Sequence, residues 1–288
     1  VSKVKNMIIW IASYPKSGNT WLRALISSYY FSKSGDFNFN LLENIESFPK
    51  KKFFLKYSKQ FKSPTATTYY WDKAQDKINE NGKLNFFKTH NSLCRINGNN
   101  FTDSKNTLGC IYIIRDPRNI LTSIKNHYEL NYEDSLNFML NKKKFIYDHY
   151  VKDDFGDIQF IGSWKEHYSS WLNTKMFTVK LIKYEDLVQN TFKIFKETID
   201  FINRISRRKE PFDSVKAKNS VDSSSFNNLK SKELKEGFSE SIYSHKKNKK
   251  LSFFNLGPKN DWKKIIPKKF HDKINFEFKY DLKFINFK

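Results

Sequence analysis

The sequence predicts an α/β fold in which a central parallel β-sheet is flanked by helices, and it predicts one domain over residues 1–288. Short apolar runs alternate with segments of helical periodicity, the order typical of a parallel sheet covered on both faces. The first run leads through a glycine-containing loop into a helix, an arrangement that holds a ligand at the helix N-terminus. A length of 288 residues is sufficient for one large hydrophobic core.

Each predicted element follows from its residue pattern. Residues 7–12 are apolar and partly β-branched, which indicates a buried strand, and apolar residues recur at helical spacing over residues 21–30. The other predicted strands are short apolar runs at residues 86–87, 110–114 and 177–182. The other predicted helices lie at residues 118–128, directly after a proline, and at residues 162–172.

The chain is strongly basic, with 52 Lys and Arg residues against 30 Asp and Glu residues and a formal net charge of +22. Only seven of the basic residues are Arg, whereas proteins that read nucleic-acid bases usually depend on Arg. Most of the lysines are therefore expected to fill solvated surface. Residues 203–288 carry a net charge of +12 against +10 for residues 1–202, so the sequence favours anion binding in the last third.

Cysteine content and hydropathy bear on the cellular location. Cys94 and Cys110 indicate neither a disulfide framework nor a metal site. No apolar run approaches the roughly 20 residues that a membrane span requires. The N-terminal apolar stretch is too short for the core of a signal peptide. We therefore expect a cytoplasmic protein without a membrane span.

The first motif that carries chemistry is Tyr-Pro-Lys-Ser-Gly-Asn-Thr-Trp at residues 14–21. A glycine-containing turn that leads into a helix directs backbone N–H groups and the positive end of the helix dipole at one point, which favours phosphate or sulfate. Lys16 adds a full charge, and Ser17 and Thr20 add hydroxyl donors. The Lys precedes the Gly, so this is not the Walker A order, and an ordinary strand-to-helix turn is the alternative interpretation.

Two further motifs place charged and titratable residues at strand ends, the edge where α/β sheets bind ligands. Lys88 and His90 follow the second predicted strand, and a base beside a fixed cation suits a transfer that builds negative charge. A structural histidine is the alternative. Arg115 and Ser123 flank the start of a predicted helix and converge on one phosphate only if the turn folds back. An ion pair between Arg115 and Asp116 is the alternative there.

In order and spacing, these motifs resemble those of the cytosolic-type sulfotransferases that use 3′-phosphoadenosine-5′-phosphosulfate (PAPS), and the chain resembles a bacterial member of that family. The resemblance rests on the sequences PKSGNTW, KTH and RDPRNILTS at residues 15–21, 88–90 and 115–123. Four later segments follow in the family's order, at residues 162–167, 183–186, 224–230 and 257–263. The resemblance therefore extends from about residue 8 to residue 264.

The resemblance implies a P-loop-like nucleotide-binding fold and transfer of a sulfuryl group from PAPS to a hydroxyl or amine of an acceptor. The product of the donor would be adenosine 3′,5′-bisphosphate (PAP), and no metal ion is implied. A small molecule, a lipid or a glycan is expected as acceptor, and nucleic acid is not expected as a partner. The sequence leaves open which acceptor is used and which oligomeric state is adopted.

The resemblance also implies roles for individual residues. His90 would take the acceptor's proton, and Lys16 and Lys88 would stabilise charge on the transferring group. The implied nucleotide-binding residues are Lys16, Ser17, Gly18, Asn19 and Thr20 at the 5′-phosphosulfate, Arg115 and Ser123 at the 3′-phosphate, Trp21, Tyr184 and Phe226 around the adenine, and also Ser225 and Gly257.

The chain departs from the family pattern in its closing loop. Asn255 and Leu256 stand where the family carries an Arg-Lys pair, and Asn260 stands where it carries a Gly. The lysines just upstream would substitute for the lost phosphate contacts, unless they form a solvated charge run: Lys246, Lys247, Lys249 and Lys250.

Two polar, lysine-rich segments are predicted as insertions on the scaffold. Residues 31–75 are expected on the acceptor side, where the aromatic residues of 53–71 would line a pocket or, alternatively, pack in the core. Residues 203–252 are expected to form a lid over the nucleotide.

Two other function classes stay open at this point. A kinase-like phosphotransferase would use the first loop as a phosphate cradle and would need magnesium for turnover. A basic nucleic-acid-binding protein would use the net charge of +22 and would bind a duplex with steep salt dependence.

Overall fold

Strands and helices alternate along the described part of the chain, residues 7–147, 154–244 and 248–287 of a computed structural model. The strands are β1 Ile8–Ala12, β2 Glu46–Ser47, β3 Asn85–Thr89, β4 Arg95–Ile96, β5 Asn99–Asn100, β6 Thr107–Ile114, β7 Phe145–Ile146, β8 Gln159–Phe160, β9 Thr178–Lys183, β10 Tyr243–Ser244 and β11 Lys249–Lys250. The helices are α1 Asn19–Phe31, α2 Trp71–Asn79, α3 Pro117–His127, α4 Tyr132–Leu140, α5 Trp164–Leu172, α6 Tyr184–Gln189, α7 Thr191–Ser206, α8 Ser214–Ser223, α9 Phe226–Glu236, α10 Trp262–Ile265, α11 His271–Glu277 and α12 Lys279–Ile285. Short 3₁₀ segments lie at Phe39–Asn44, Lys51–Phe53, Ala66–Tyr70, Gly257–Lys259 and Lys268–Phe270.

Five strands form one parallel sheet in the order β2-β3-β1-β6-β9. β1 lies in the middle, with β3 on one side and β6 on the other. The crevice outside the carboxyl ends of such strands, where the strand order reverses, is where ligands bind in open α/β sheets. The predicted α/β fold with a central parallel sheet is confirmed, and the loop after β1 begins at the position that this topology favours for a site.

Alternating residues of the strands supply the two faces of the sheet. Ile8, Trp10 and Ala12 face a cluster that contains buried side chains of α3 and α5. Ile9 and Ile11 face a second cluster that contains buried side chains of α1 and α7. Because both faces are covered, every residue of β1 is buried, and this is why the strand is a continuous apolar run in the sequence.

A third apolar cluster attaches residues 226–257, which we call the closing segment, to the rest of the molecule. It joins Leu229, Phe238 and Phe254 of this segment with Ala24 of α1 and with Leu42. The rings of Phe238 and Phe254 have centroids 5.5 Å apart. The cluster therefore holds the closing segment against α1, the helix that follows the first loop.

The predicted strands and helices are all present, with ends shifted by a few residues. The strand predicted to end at residue 87 continues to Thr89, because its pairing with β1 continues to Ala12. The sequence did not indicate that α8 and α9 lie within residues 203–252 or that β2 extends the sheet. Over the described ranges, no helix combines the length and apolar character needed to cross a membrane. The cytoplasmic location stays a prediction.

Candidate active site

A cavity of about 660 Å³ lies at the carboxyl ends of β1, β3 and β6. Two sets of residues supply most of its lining. One set, which we call the strand-end wall, comes from the loops and helices that follow β1, β3, β6 and β9, and includes Lys16, Gly18, Asn19, Thr20, Trp21, Lys88, His90, Arg115, Ser123, His127 and Tyr184. The other set comes from the closing segment and consists of Phe226, Leu229, Glu240, Ile242 and residues 249–257.

The loop after β1 has a backbone that few residue types tolerate. Gly18 has a φ of 98°, and a Cβ there would lie 2.5 Å from the Tyr184 ring, so both the backbone and the space require glycine. Lys16 has a φ of 68°, a conformation that costs a non-glycine residue about 1–3 kcal/mol and is concentrated at functional sites. Asn19 anchors the loop by donating a hydrogen bond to the Ile11 carbonyl oxygen at 3.0 Å.

Buried donors at this loop have no protein partner among the residues that the structure describes. They are the Ser17 hydroxyl, the Trp21 indole N–H and Nε of Arg115. Leaving a buried donor unpaired costs about 1–3 kcal/mol, and at Trp21 and Arg115, which line the cavity, an anionic ligand would offset this cost. The residues present therefore fit an anion carrying several acceptor oxygens.

Lys16 is half-buried on the strand-end wall. Its Nζ lies 3.3 Å from Nδ1 of His127 and 4.2 Å from the centroid of the Phe253 ring. Burial and two nearby cations lower the pKa of Lys16 to about 8, against the opposing effect of Glu240. Burial also lowers the pKa of His127, to about 3, so the imidazole is neutral and accepts from the ammonium. An anion that enters the cavity therefore meets a cation already held in place.

His90 is oriented as a base. Its Nδ1 lies 2.8 Å from the Ser13 carbonyl oxygen, which can only accept, so Nδ1 carries the proton and Nε2 keeps its lone pair. Burial, and then the charge on Lys88, lower the pKa of His90 well below its usual 6.5, which keeps the ring neutral at pH 7. Two hydrogen bonds hold the backbone of His90. Its N–H donates to Oε1 of Gln159 at 2.8 Å, and its carbonyl oxygen accepts from Nε2 of His167 at 3.0 Å.

Arg115 joins the two walls of the cavity. Its guanidinium donates to the carbonyl oxygen of Lys16 at 3.3 Å and to that of Gly257 at 3.0 Å. The ion pair that was the alternative interpretation at this strand end forms instead between Asp116 and Arg118, at 2.6 Å. Arg115 therefore forms no ion pair with a carboxylate of the described residues, and its guanidinium lines the cavity.

Asn260 ties the chain that follows the closing segment to α3. Its amide nitrogen donates to the Asn119 carbonyl oxygen at 2.8 Å and to the Ser123 hydroxyl at 3.2 Å. Its amide oxygen accepts from the Thr122 hydroxyl at 2.8 Å. The residue that replaces the glycine of the family pattern thus contacts the serine expected at the 3′-phosphate.

The aromatic residues expected around the adenosine lie on both walls. Trp21 and Tyr184 meet edge to face with centroids 5.8 Å apart, and the Arg115 guanidinium lies 4.2 Å from the centroid of the Tyr184 ring. Phe226 begins α9 on the closing segment. Its ring lies 2.1 Å from where a Cβ at Gly257 would be, and Gly257 has a φ of 51°, so glycine lets the backbone pass against this ring.

The cavity brings together most of the residues that the sequence selected, and their roles stay predictions. Those that line it are Lys16, Gly18, Asn19, Thr20, Trp21, Lys88, His90, Arg115, Ser123, Tyr184, Phe226 and Gly257. Two others, Ser17 and Ser225, do not line it; Ser17 is fully buried, and Ser225 is the residue before α9. Lys249 and Lys250 line it as exposed residues, whereas Lys246 and Lys247 lie outside the described residues.

Most aromatic residues of 53–71 pack in the core. Phe54, Phe61 and Trp71 are at most 2% exposed and belong to the cluster on one face of the sheet. Phe53, Tyr57 and Tyr70 pack against that cluster and are partly buried, whereas Tyr69 is 55% exposed. The described part of the cavity wall includes no residue of 31–75. Core packing therefore accounts for these aromatic residues except Tyr69, and the acceptor-side placement of residues 31–75 stays a prediction.

Sequence reasoning missed three residues at the site: Arg23, His127 and Glu240. Arg23 lies on α1 and donates to Glu240 at 2.6 Å. It is the only charged residue in that helix and one of seven arginines in a lysine-rich chain. These two features could have marked it as a candidate site residue. His127 ends α3, and Glu240 lies in a lysine- and serine-rich segment, so neither belongs to a recognisable local pattern.

These features define a class of protein, an α/β enzyme whose strand-end cavity offers cations and a neutral histidine to an anionic substrate. A family model described as Sulfotransferase domain matches residues 7–283. The chain therefore belongs to the sulfotransferase family.

Individual relatives are distant in sequence and similar in fold. Sulfotransferase 1A1 of Rattus norvegicus is 24% identical over 224 residues, which cover 75% of this chain and 67% of that protein. Retinol dehydratase, solved with androsterone and the inactive cofactor PAP, has a TM-score of 0.56 at 14% identity, covering 97% of this chain and 81% of that one. Mouse sulfotransferase SULT7A1, solved with PAP, has a TM-score of 0.53 at 18% identity, covering 97% and 85%. These two structures share the fold of this chain.

Proposed function

We propose that this protein transfers a sulfuryl group from PAPS to a hydroxyl or amine of an acceptor, with His90 as general base and PAP as product. The observation that carries the proposal is the state of His90, a neutral imidazole with a free Nε2 in the same cavity as Lys16 and Lys88. Membership of the sulfotransferase family favours this reaction over a phosphotransferase or a nucleic-acid-binding function.

In this proposal the nucleotide is held by residues of both walls. The 5′-phosphosulfate is assigned to Lys16, Ser17, Gly18, Asn19 and Thr20, because their loop leads into the N-terminus of α1. The 3′-phosphate is assigned to Arg115 and Ser123, and the adenosine to Trp21, Tyr184, Ser225, Phe226 and Gly257. That the solved relatives were obtained with PAP supports this assignment.

We assign residues 203–252 the role of a lid over the nucleotide. Its support is that Phe226, Leu229 and Glu240 belong to the cavity wall. A second support is the apolar cluster that holds this part of the chain against α1, the helix that follows the loop after β1.

The chain's own residues then position the reactants, stabilise charge and move one proton. The acceptor's proton goes to Nε2 of His90 as the bond from sulfur to the acceptor forms, and the bond from sulfur to the donor's phosphate oxygen breaks. Lys16 and Lys88 stabilise the negative charge that remains on that oxygen. A small molecule, a lipid or a glycan is the expected acceptor, and relatives solved with androsterone or retinol support a small molecule.

Binding of PAP tests the proposal. A specific site stabilises the folded protein by RT ln(1 + [L]/Kd), so we expect PAP to raise the melting temperature at far lower concentration than ATP does. Transfer of radiolabel from sulfur-labelled PAPS to hydroxyl-bearing acceptors then measures the activity. No melting shift with saturating PAP, together with a shift for magnesium-ATP, would contradict the proposal and favour phosphotransfer.

A further inference from the structure

A carboxylate of the closing segment lies against the proposed donor site. Oε1 of Glu240 accepts from Nη1 of Arg23 at 2.6 Å, and Oε2 accepts from Nζ of Lys88 and from the Thr20 hydroxyl, both at 3.2 Å. Burial raises the pKa of Glu240, but Lys88 and Arg23 outweigh it and hold that pKa well below its usual value. A charged carboxylate is therefore the point on which two cations and one hydroxyl converge.

The position occupied by the Glu240 carboxylate requires a negative charge, because the Arg23 guanidinium beside it is buried. Only 5% of the residue is exposed. Nη2 donates to the carbonyl oxygens of Leu42 at 3.2 Å and Ile45 at 3.0 Å, which fixes the guanidinium and leaves Nη1 directed at Glu240. A buried guanidinium stays charged and is strongly destabilising without an anion beside it. The position therefore selects for an oxyanion.

The proposed donor requires the same groups. Thr20 and Lys88 are assigned to the phosphosulfate end of the donor, and both line the cavity together with Glu240. The Thr20 hydroxyl has one proton and can donate it to only one of the two anions. Two anions that both contact the Lys88 ammonium also repel each other strongly in a partly buried site. Only one of the two anions can occupy the position.

We propose that Thr20, Arg23 and Lys88 form one anion subsite, which the Glu240 carboxylate fills in the empty protein and the 5′-phosphosulfate of the donor takes over. This inference rests on the proposed function. It assigns Arg23 as a further donor-binding residue and Glu240 as a competitor that lowers donor affinity. The competition keeps the buried cations paired when no donor is bound, and it disfavours small anions that cannot displace the carboxylate.

Glu240 can leave the subsite while the closing segment keeps its internal structure, because a second carboxylate holds that segment together. Glu233 accepts from the backbone N–H groups of Phe253 at 2.6 Å and Phe254 at 2.9 Å. It also accepts from the Ser241 hydroxyl at 2.7 Å. These bonds do not depend on the Glu240 side chain, so displacement of Glu240 requires movement of a side chain and its local backbone.

Isothermal titration of the full chain with PAP tests the competition. Glu240→Gln keeps the shape and removes the charge, and we expect it to bind PAP about tenfold or more tightly than the wild type. Glu236→Gln, at an exposed glutamate of the same segment, is the matched control and should bind as the wild type does. Without ligand, Glu240→Gln should melt at a lower temperature, because Arg23 and Lys88 lose their counter-charge. If the role of Glu240 were merely structural, Glu240→Gln would instead lower both the melting temperature and the PAP affinity.

The outcomes separate this inference from the proposed function. Equal PAP affinity of wild type and Glu240→Gln, or weaker binding by the variant, would overturn the competition. Failure of both proteins to bind PAP would overturn the proposed function. If Glu240→Gln does not fold, Glu240→Asp replaces it in the titration. Its shorter side chain withdraws the carboxylate, so it should also bind more tightly than the wild type, by a smaller factor.

Arg23 is tested in the Glu240→Gln background, where it no longer has a carboxylate to hold. Adding Arg23→Met should weaken PAP binding by about tenfold or more, the loss typical of a hydrogen bond to a charged group. Arg23→Lys keeps the charge without the planar guanidinium and should lose less PAP affinity. It also serves as a second variant if Arg23→Met does not fold. Arg95→Met, at an exposed arginine, is the control. Unchanged affinity in Arg23→Met would show that Arg23 serves only to hold Glu240.

Discussion

The two walls of the cavity are held by different kinds of interaction. On the strand-end wall, the first loop is held by uncharged contacts: the Asn19 side chain donates to the Ile11 carbonyl oxygen, and Gly18 packs against the Tyr184 ring. The closing segment reaches the cavity through contacts with distant residues, above all the bonds of Glu240 to Thr20, Arg23 and Lys88. One wall is therefore formed before any ligand binds, whereas the position of the other depends on charges that a ligand would also use.

This difference predicts effects of different size for substitutions on the two walls. On the strand-end wall, which carries the proposed base and the proposed phosphate contacts, substitutions should have large effects on chemistry, on affinity or on fold stability. On the closing segment, substitutions of exposed residues should change affinity alone, and by smaller factors. The predictions below test this contrast, from the largest expected effect to the smallest.

Substitution of the proposed base should give the largest effect. His90→Ala is expected to reduce the transfer rate by about 10²–10⁴, the usual contribution of a general base, while PAP binding is retained. Single-turnover transfer of labelled sulfate and a PAP titration measure the two quantities. His271→Ala, which alters a histidine that does not line the cavity, is the control. Full activity in His90→Ala would show that the base lies elsewhere.

Loss of the Arg115 guanidinium should reduce affinity at one end of the nucleotide. Arg115→Met is expected to weaken PAP binding by about tenfold to a hundredfold, because a hydrogen bond to a charged group contributes about 1.5–3 kcal/mol. Adenosine 5′-phosphate, which lacks the 3′-phosphate, should be affected much less. Calorimetric titration with both ligands measures the difference. Equal losses for the two would indicate that Arg115 only joins the walls through Lys16 and Gly257.

Two glycines at similar positive φ separate backbone strain from steric conflict. Gly18→Ala adds a Cβ 2.5 Å from Tyr184, whereas Gly98→Ala, at a φ of 80°, meets no atom within 4 Å. Both substitutions cost about 1–2 kcal/mol for the positive φ, and only Gly18→Ala adds a clash. Urea denaturation should therefore show that Gly18→Ala lowers the free energy of unfolding more, by about 1–3 kcal/mol beyond the loss at Gly98. Similar losses at both positions would mean that the Tyr184 ring moves aside freely.

The pKa of Lys16 should appear in the pH dependence of activity. With a pKa lowered to about 8, the ammonium is present below that pH and is lost above it, so kcat/KM for the donor should fall as pH rises past about 8. The pKa of His90 is lowered, so the neutral base persists down to a pH below 6.5. Lys16→Arg should remove the alkaline fall, because a guanidinium stays charged. A fall that remains in Lys16→Arg would assign it to another group.

The exposed lysines of β11 should contribute least. Lys249→Ala and Lys250→Ala are each expected to weaken PAP binding by less than about fivefold at 0.15 M salt, since exposed charges are screened by solvent and ions. Titrations at low and high ionic strength measure this, and the difference should vanish at high salt. A loss above tenfold would show that these lysines replace the Arg-Lys pair that the chain lacks at Asn255 and Leu256.

The strand-end wall could be predicted from the sequence because its residues lie close to strand ends. Residues 15–21, 88–90 and 115–123 each follow an apolar run, and parallel strands bring their carboxyl ends to one edge. The contacts of Asn260 with Ser123 and the core packing of Phe54 could not be predicted in this way. They depend on which distant surfaces meet, and residue type alone does not indicate that.

By itself the sequence determined the α/β class, the glycine-containing loop after the first strand, the position of His90 beside Lys88 and the family resemblance, because each depends on short-range order along the chain. Only the tertiary structure showed that Glu240 contacts Thr20, 220 residues away in the sequence. It also showed that Arg23 of α1 is buried and that Ser225 does not line the cavity. A charged side chain looks the same in the sequence whether it is solvated or buried. Its partner and its electrostatic role arise only when folding removes water and brings an opposite charge beside it.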